Sequence, residues 1–381
     1  MMDKLTVGVI GCGGMAQNHV RGYLNCGRYE IVALSDLDEE AMIEYEKTFD
    51  ISVRHYTDAR RMLDEEDLDV VSIGVWHTGH ATWTVAAAAR QPEAILCEKP
   101  MADTLQRAEQ MMTACQRNDV KLAIGHQRRF LPSYTLAREL IAEGAVGEVY
   151  LMQSFGAQGL PNYCSHQTDM FRYFLDDDCK WVMGNVERKT DRYERETRIA
   201  DGAVAVFGFA CRAQALILCD VTSTVYQGAR IYGSEGMIDV DTRELRLMNA
   251  STGGEWQVHR PDGKFFKVEE EGRRFEWLEA PTAQADELAD WVEGKVETHR
   301  GSAEHGFKAL EMIHAVYESA RCHEKVVLPL QTRLNPLDLM VESGHLKPER
   351  PGRYDIRAFL LRGERLWSDE ETGPSLGSDG E

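Results

Sequence analysis

Residues 5–16 read LTVGVIGCGGMA, a short aliphatic run followed at once by a glycine-rich turn. The turn fits the pattern G-x-G-x-x-A. Its first glycine makes a tight turn, its second lets the backbone approach a pyrophosphate, and its small third residue lets a helix pack on the strand. The helix that follows would present its N-terminal amides to phosphate. This stretch therefore predicts a strand, turn and helix that bind a dinucleotide.

An acidic residue at the end of the next predicted strand supports this interpretation. Asp36 follows the run Ile31–Leu34 and stands 20 residues after Ala16, where a carboxylate can accept hydrogen bonds from ribose hydroxyls. The same carboxylate would repel a 2′-phosphate, and residues 37–40 offer no arginine to receive one. NAD is therefore favoured over NADP. The nucleotide contacts predicted in this part of the chain are Gly11, Gly13, Gly14, Met15, Ala16 and Asp36.

Strand and helix patterns alternate through the first 125 residues. Apolar runs also occur at Val70–Ile73, Ala94–Cys97 and Lys121–Ile124. Stretches with helical spacing lie between the runs, at Met15–Cys26, Leu37–Phe49, Gly79–Arg90 and Thr104–Asn118. Alternation with nearly continuous apolar strands is typical of a parallel sheet covered on both faces. Residues 1–125 are thus predicted to form an α/β Rossmann domain with a doubly wound parallel sheet.

The pattern changes in residues 126–330, which predict a second domain of the α+β class. Many short strand candidates between Trp181 and Lys267 are separated by turn residues and predict one large, mainly antiparallel open sheet. Helices are expected at residues 132–143, His166–Leu175, Gln284–Glu293 and Ala303–His323. Residues 331–381 read as a C-terminal extension, with an acidic tail from about residue 368 that is expected to be disordered.

Composition excludes several classes of function. The 381 residues carry a formal net charge of −20, so nucleic acid and membrane surfaces are poor partners. The nine cysteines are scattered without a Cys-x-x-Cys, and the histidines show no metal-ligand spacing, so no metal site is predicted. The N-terminus shows no signal segment, and a cytoplasmic location is expected.

Residues 97–100 read CEKP at the end of the fifth predicted strand. Further motifs are Gly11–Ala16, His80 in the loop after the fourth strand, Arg129-Phe130, Gly144-x-x-Gly147-Glu148, His166-x-x-Asp169, Gly233-x-x-Gly236 and Tyr317–Ala320. With these motifs, in this order over residues 5–330, the chain resembles the Gfo/Idh/MocA family of NAD(P)-dependent oxidoreductases. That family includes glucose–fructose oxidoreductase and inositol dehydrogenases.

The resemblance implies that Lys99 and His166 are catalytic. A cation at the carboxyl end of a parallel strand could bond the reacting oxygen and lower its pKa. A histidine titrates near neutrality and could take the hydroxyl proton. Without the resemblance, the positions of these residues also allow non-catalytic roles. Lys99 could form a salt bridge with Glu98, and His166 could hydrogen-bond to the backbone.

The resemblance also implies further contacts around the reacting centre. Expected substrate contacts are Asp169, Asn162, Tyr163, Arg129 and His126, and the further expected cofactor contacts are Trp76, His80, Glu98 and Lys99. The implied substrate is a small polyhydroxylated molecule. The open sheet face implies a homodimer or homotetramer.

Asn162 departs from the family pattern. Many family dehydrogenases have an Asp four positions before the helix His, and an Asn there cannot ionise. Either His166 with Lys99 suffices, or Tyr163 contributes, or this branch no longer oxidises alcohols. The expected reaction is NAD-dependent hydride transfer at a secondary alcohol of a sugar, cyclitol or related polyol. The alternatives are NAD-dependent glycoside cleavage through a transient keto intermediate, and a catalytically silent NAD-binding sensor or corepressor.

Overall fold

A computed structural model describes residues 4–221 and 226–357. Its first sheet consists of β1 (Leu5–Ile10), β2 (Tyr29–Ser35), β3 (Arg54–Tyr56), β4 (Val70–Ile73), β5 (Ala94–Cys97) and β6 (Lys121–Ile124). The strand order is β3-β2-β1-β4-β5-β6, and all neighbouring strands are parallel. The order reverses between β1 and β4, which creates a crevice at the carboxyl ends of these strands.

Helices cover both faces of this sheet, as the sequence predicts. They are α1 (Ala16–Cys26), α2 (Glu39–Phe49), α3 (Ala59–Glu65), α4 (His77–Ala88) and α5 (Leu105–Arg117). The side chains of Asp38, Asp58 and Thr104 accept hydrogen bonds from backbone amides at the starts of α2, α3 and α5. One expectation is wrong. Because α4 begins at His77, His80 lies in its first turn and not in a loop.

The strands of the remaining chain are β7 (Val149–Gly156), β8 (Cys179–Glu187), β9 (Thr190–Glu194), β10 (Thr197–Arg198), β11 (Gly202–Phe209), β12 (Gln214–Cys219), β13 (Ala229–Gly233), β14 (Gly236–Val240), β15 (Leu245–Asn249), β16 (Gln257–His259), β17 (Val326–Val327) and β18 (Arg350–Asp355). Nine of them form one sheet in the order β16-β15-β14-β13-β7-β12-β11-β8-β17. Only the β7–β12 pair in this sheet is parallel among the described residues. The prediction of a large, mainly antiparallel sheet is confirmed.

The later helices are α6 (Pro132–Ala142), α7 (Cys164–Leu175), α8 (Val268–Glu271), α9 (Phe275–Val292), α10 (Ala303–Cys322) and α11 (Pro336–Glu342). Helix α7 begins at Cys164 rather than at His166. Helix α9 extends well before the predicted start at Gln284, because it continues through Pro281, a residue that normally ends a helix. Within the described ranges, no helix has both the length and the apolar character needed to cross a bilayer.

Helix α9 joins the two sheets by packing on α1. The Tyr29 hydroxyl donates to the carbonyl oxygen of Ala285 at 2.6 Å, and Arg28 bonds Asp286. A side chain at Gly22 would place its Cβ 2.4 Å from the carbonyl oxygen of Pro281, so only glycine allows this approach. These contacts fix the second sheet relative to the nucleotide crevice.

Strands β9 and β10 form a hairpin to which β18 adds a parallel third strand. The Asp355 carboxylate accepts hydrogen bonds from the amides of Arg195 and Glu196 in the hairpin turn, at 3.2 and 2.9 Å. The hairpin also reaches the first sheet, where Thr197 hydrogen-bonds His77 at the start of α4. Part of the C-terminal extension is therefore packed on the body, and the acidic tail predicted from residue 368 lies outside the described residues.

Candidate active site

The glycine-rich turn after β1 leaves its backbone open on one side. Gly11 has φ +92°, and a Cβ there would lie 2.7 Å from the amide nitrogen of Val75, so the tight turn requires glycine. A Cβ at Gly14 would meet nothing within 4 Å. A Cβ at Gly74 would lie 2.5 Å from that of Ala16, which shows how closely α1 approaches β4. These features fit a dinucleotide pyrophosphate at the start of α1.

Asp36 is held beside this turn by two backbone amides. Its Oδ2 accepts a hydrogen bond from the Cys12 amide at 2.7 Å, and its Oδ1 accepts one from the Asp38 amide at 3.0 Å. Each carboxylate oxygen keeps a second lone pair. The carboxylate can therefore accept the ribose hydroxyls of a dinucleotide, as the sequence predicts.

The other predicted cofactor residues line the neighbouring strand ends. Trp76 stands directly before α4 and is partly buried. His80 is buried, and its ring nitrogens face the carbonyl oxygens of Pro100 at 2.9 Å and Val75 at 3.0 Å. A neutral imidazole carries one N–H, so one ring nitrogen donates to a backbone carbonyl oxygen. The predicted cofactor contact of His80 stays a prediction.

Glu98 is buried beneath the loop that carries Lys99. Its Oε1 lies 3.2 Å from His19 Nε2, and its Oε2 accepts a hydrogen bond from the Lys99 amide at 3.0 Å. Burial alone would raise the pKa of Glu98, but His19 and Lys99 lower it below its usual value. The carboxylate thus fixes the backbone of this loop.

Lys99 reaches across the cleft to the segment before α7. Its Nζ donates to the carbonyl oxygen of Asn162 at 3.2 Å and to Asn162 Oδ1 at 3.1 Å. Burial lowers the pKa of Lys99 to about 8. The charges of Glu98 and Glu194 oppose this shift, and those of Arg195 and Arg128 add to it. Lys99 can therefore exchange a proton near physiological pH.

His166 lies in the first turn of α7, a helix whose residues from Cys164 to Phe174 are all buried. Its ring centroid is 6.3 Å from that of Tyr163 and 6.1 Å from that of His126. Its Nδ1 is buried without a hydrogen-bond partner among the described residues. Burial, together with the nearby charges of Arg128 and Lys99, holds the pKa of His166 well below its usual range, so the imidazole is neutral.

Asp169 and Arg129 form a buried pair one turn further along α7. Arg129 Nε donates to both carboxylate oxygens of Asp169, and Arg129 Nη2 donates to Oδ1 at 2.8 Å. Burial alone would raise the pKa of Asp169, but Arg129 lowers it below its usual value. His126 Nδ1 lies 3.6 Å from Asp169 Oδ2. Each charge in this pair neutralises the other, and the predicted substrate contacts of Asp169 and Arg129 stay predictions.

The hairpin of β9 and β10 supplies residues that the sequence analysis misses. Glu194 is buried, pairs with Arg195 at 2.8 Å, and both act on the pKa of Lys99. Their positions depend on the pairing of β9 with β18. Because these strands lie far apart in the chain, no local sequence pattern predicts their pairing. Of the predicted site residues, the structure brings Lys99, Asn162, Tyr163, His166 and His126 together.

Comparisons with known proteins agree with this arrangement. Residues 5–126 match the GFO_IDH_MocA oxidoreductase family with an NAD-binding Rossmann fold, and residues 134–239 match the GFO/IDH/MocA C-terminal domain. The chain is 36% identical over 270 residues to D-apiose dehydrogenase of Paraburkholderia graminis, an alignment that covers 67% of this chain and 70% of the relative. It is 27% identical to the rhizopine catabolism protein MocA of Rhizobium meliloti, over 64% of this chain and 73% of the relative.

Among solved structures, levoglucosan dehydrogenase in complex with NADH and levoglucosan has the same fold. The TM-score is 0.75 at 21% identity, over 86% of this chain and 100% of that chain.

Proposed function

The chain belongs to the Gfo/Idh/MocA family of NAD-binding oxidoreductases, and from this we infer that it transfers a hydride between a secondary alcohol of a sugar, cyclitol or related polyol and NAD. When bound, NAD would supply the acceptor for the hydride of the carbinol carbon. The hydroxyl proton must then go to a group of the protein. The observation that carries the proposal is the partly buried Lys99 amine, which follows β5 at the carboxyl ends of the parallel strands and is hydrogen-bonded to Asn162. Its pKa of about 8 supports the same role.

The geometry at Lys99 suits a proton acceptor. A neutral amine has two N–H groups and one lone pair, and Asn162 provides two acceptor oxygens for those two N–H groups. The remaining tetrahedral position then carries the lone pair, which can take the hydroxyl proton during oxidation. After that transfer the same position carries an N–H, which can return the proton during reduction.

His166 suits a different role from the proton relay expected from the sequence. Its depressed pKa makes it a weaker proton acceptor than Lys99. As a neutral imidazole it can instead hydrogen-bond a substrate hydroxyl and orient it. We therefore assign the proton transfer to Lys99 and the positioning of the hydroxyl to His166.

Asn162→Asp is expected to move the pH dependence of the reaction. Oxidation needs the neutral amine, so kcat/KM rises as pH increases through about 8. A carboxylate beside Lys99 favours its charged form and raises its pKa by roughly 1 to 2 units. The whole rise then shifts to higher pH, as measured by kcat/KM profiles for NAD reduction. Asn25→Asp, which adds the same charge at an exposed site, serves as control. An unmoved profile in Asn162→Asp would remove the proton-accepting role from Lys99.

The reaction itself is tested by NADH absorbance with cyclitols, aldoses, uronic acids and glycosides. NADH formation from a member of this panel supports the proposed dehydrogenase. Aglycone release without NADH accumulation would instead favour glycoside cleavage. NAD binding with neither product, across the panel, would favour a sensor.

We also propose that the outward face of the nine-stranded sheet contacts a second copy of the chain. Met183 on β8 and Val204 on β11 lie on this face and are 52% and 43% exposed. Exposed apolar side chains that share a sheet face are typical of an interface. Sedimentation equilibrium is expected to give a dimer or tetramer mass, and Val204→Glu is expected to lower it. Val85→Glu, at a similarly exposed position on α4, should not.

A further inference from the structure

Two adjacent arginines begin the second part of the chain, and the structure uses them differently. Arg129 forms a salt bridge with Asp169, as described above. The guanidinium carbon of Arg128 lies 5.1 Å from the ring centroid of Tyr163. Across residues 4–221 and 226–357, no carboxylate lies within ion-pair distance of Arg128, which is only partly exposed. Arg128 thus brings an unneutralised positive charge to the segment that contacts Lys99.

The acidic groups around this cleft are already paired. Asp169 is bonded by Arg129, and Glu194 by Arg195. Glu98 faces His19 and the Lys99 amide, and its negative charge stabilises the Lys99 ammonium. The cleft therefore keeps the positive charge of Arg128, in a chain whose net charge is −20. A partly buried charge is usually compensated by an opposite one.

Two buried polar atoms beside Arg128 also keep unused hydrogen-bonding capacity. Among the described residues, the Nδ1 of His166 has no hydrogen-bond partner, and the Tyr163 hydroxyl has only the Arg128 guanidinium beside it. Tyr163 lies between the other two groups, since its ring contacts both the Arg128 guanidinium and the His166 ring. Because buried polar groups in folded proteins are nearly always satisfied, such atoms at a cleft indicate a ligand that supplies the partners.

We propose that Arg128 and Tyr163 bind a carboxylate of the substrate, which makes the substrates sugar acids, such as uronic or aldonic acids, rather than neutral polyols. A guanidinium offers two parallel N–H groups that match the two oxygens of a carboxylate. The Tyr163 hydroxyl adds one further donor. This inference rests on the proposed function, since it places the acid group of the same molecule whose carbinol meets Lys99.

Binding to the NADH complex tests the carboxylate site without requiring turnover. The probes are D-glucuronate and D-galacturonate, each compared with D-glucose or D-galactose, from which it differs by a carboxylate in place of CH2OH. The acid of at least one pair is expected to bind with a Kd about 10- to 100-fold lower than its neutral partner. The advantage should shrink between low and high salt, because it depends on charge.

Variants separate the role of Arg128 from a general effect on folding. Arg128→Gln is expected to raise the Kd of the acid about 10- to 100-fold and to change that of the neutral sugar little. Arg128→Lys should keep part of the preference. Arg60→Gln is the matched control, because Arg60 also stacks on an aromatic ring, that of Trp83. Arg60 belongs to α3 and is not part of the proposed carboxylate site, so this variant should keep the preference for the acid.

Three outcomes would overturn the carboxylate site: equal Kd values within both pairs, an unchanged preference in Arg128→Gln, or tighter binding of D-glucose 6-phosphate than of either uronate. Failure of the proposed function gives a different result. If the uronates bind selectively but no member of the NADH panel is oxidised, the anion site stands and the dehydrogenase reaction fails. If neutral sugars are oxidised as well as acids, the reaction stands and the anion site fails.

Discussion

Replacement of Lys99 by methionine is expected to lower kcat for NAD reduction by about 10²- to 10⁴-fold. Methionine fills similar space with an unbranched chain, so the partly buried site stays packed, but it can neither accept the hydroxyl proton nor donate to Asn162. The rise of kcat/KM through pH 8 should disappear as well, because it reports the Lys99 amine. Steady-state kinetics with any substrate from the NADH panel gives both values.

The Kd of NAD in Lys99→Met is expected to change by no more than a few-fold. The Lys99 ammonium is directed at Asn162, whereas the main dinucleotide contacts that we propose are the glycine-rich turn and Asp36. Calorimetric titration with NAD measures this directly. A kcat within tenfold of the wild type, at unchanged NAD affinity, would show that the proton goes elsewhere.

Replacement of Arg129 by methionine is expected to lower the free energy of unfolding by about 3 to 5 kcal/mol, because it leaves the Asp169 carboxylate buried without its partner. The wild-type pair stabilises the fold above the ordinary pKa of an aspartate and loses that effect as pH falls through the lowered pKa of Asp169. In the variant, burial would raise the pKa of Asp169, so the difference from the wild type should shrink as pH falls. Urea denaturation at several pH values measures this.

A surface pair provides the control for Arg129→Met. Arg138 also stacks on Tyr173, but its partner Asp176 is 75% exposed, so Arg138→Met should cost less than about 1 kcal/mol. The double variant Arg129→Met, Asp169→Leu removes both charges and should recover most of the lost stability. A loss in the double variant as large as in the single one would mean that packing, and not the charge, accounts for the effect.

The sequence predicts the first sheet well because the pattern that identifies each strand lies within the strand itself. Strands such as β4 and β5 are buried on both faces, so their residues form continuous apolar runs. The start of α9 could not be read in this way, because tertiary packing on α1 outweighs the unfavourable Pro281. Strands β9 and β18 are short and charged, and their pairing joins distant parts of the chain. The sequence pattern therefore does not predict this pairing.

In the candidate site, too, local motifs could be predicted from the sequence and long-range contacts could not. Lys99 and His166 stand in motifs that the sequence shows. The difference between Arg128 and Arg129 depends on Asp169, 40 residues away along the chain, and on which side chain points at it. Likewise the substitution at Asn162 looks like a loss in the sequence, whereas the structure shows two oxygens that hold the Lys99 amine. Such roles follow only from three-dimensional neighbours.

The pairing of β18 with β9 has a consequence for the order in which the protein is completed during translation. Arg195 and the Asp355 carboxylate that holds its turn are 160 residues apart. A nascent chain forms its N-terminal units first and adds residues at roughly 5 to 20 per second. The crevice for the nucleotide can thus be assembled many seconds before the ribosome delivers the strand that fixes the hairpin beside Lys99. A prematurely terminated product that ends before β18 would keep the crevice without this support.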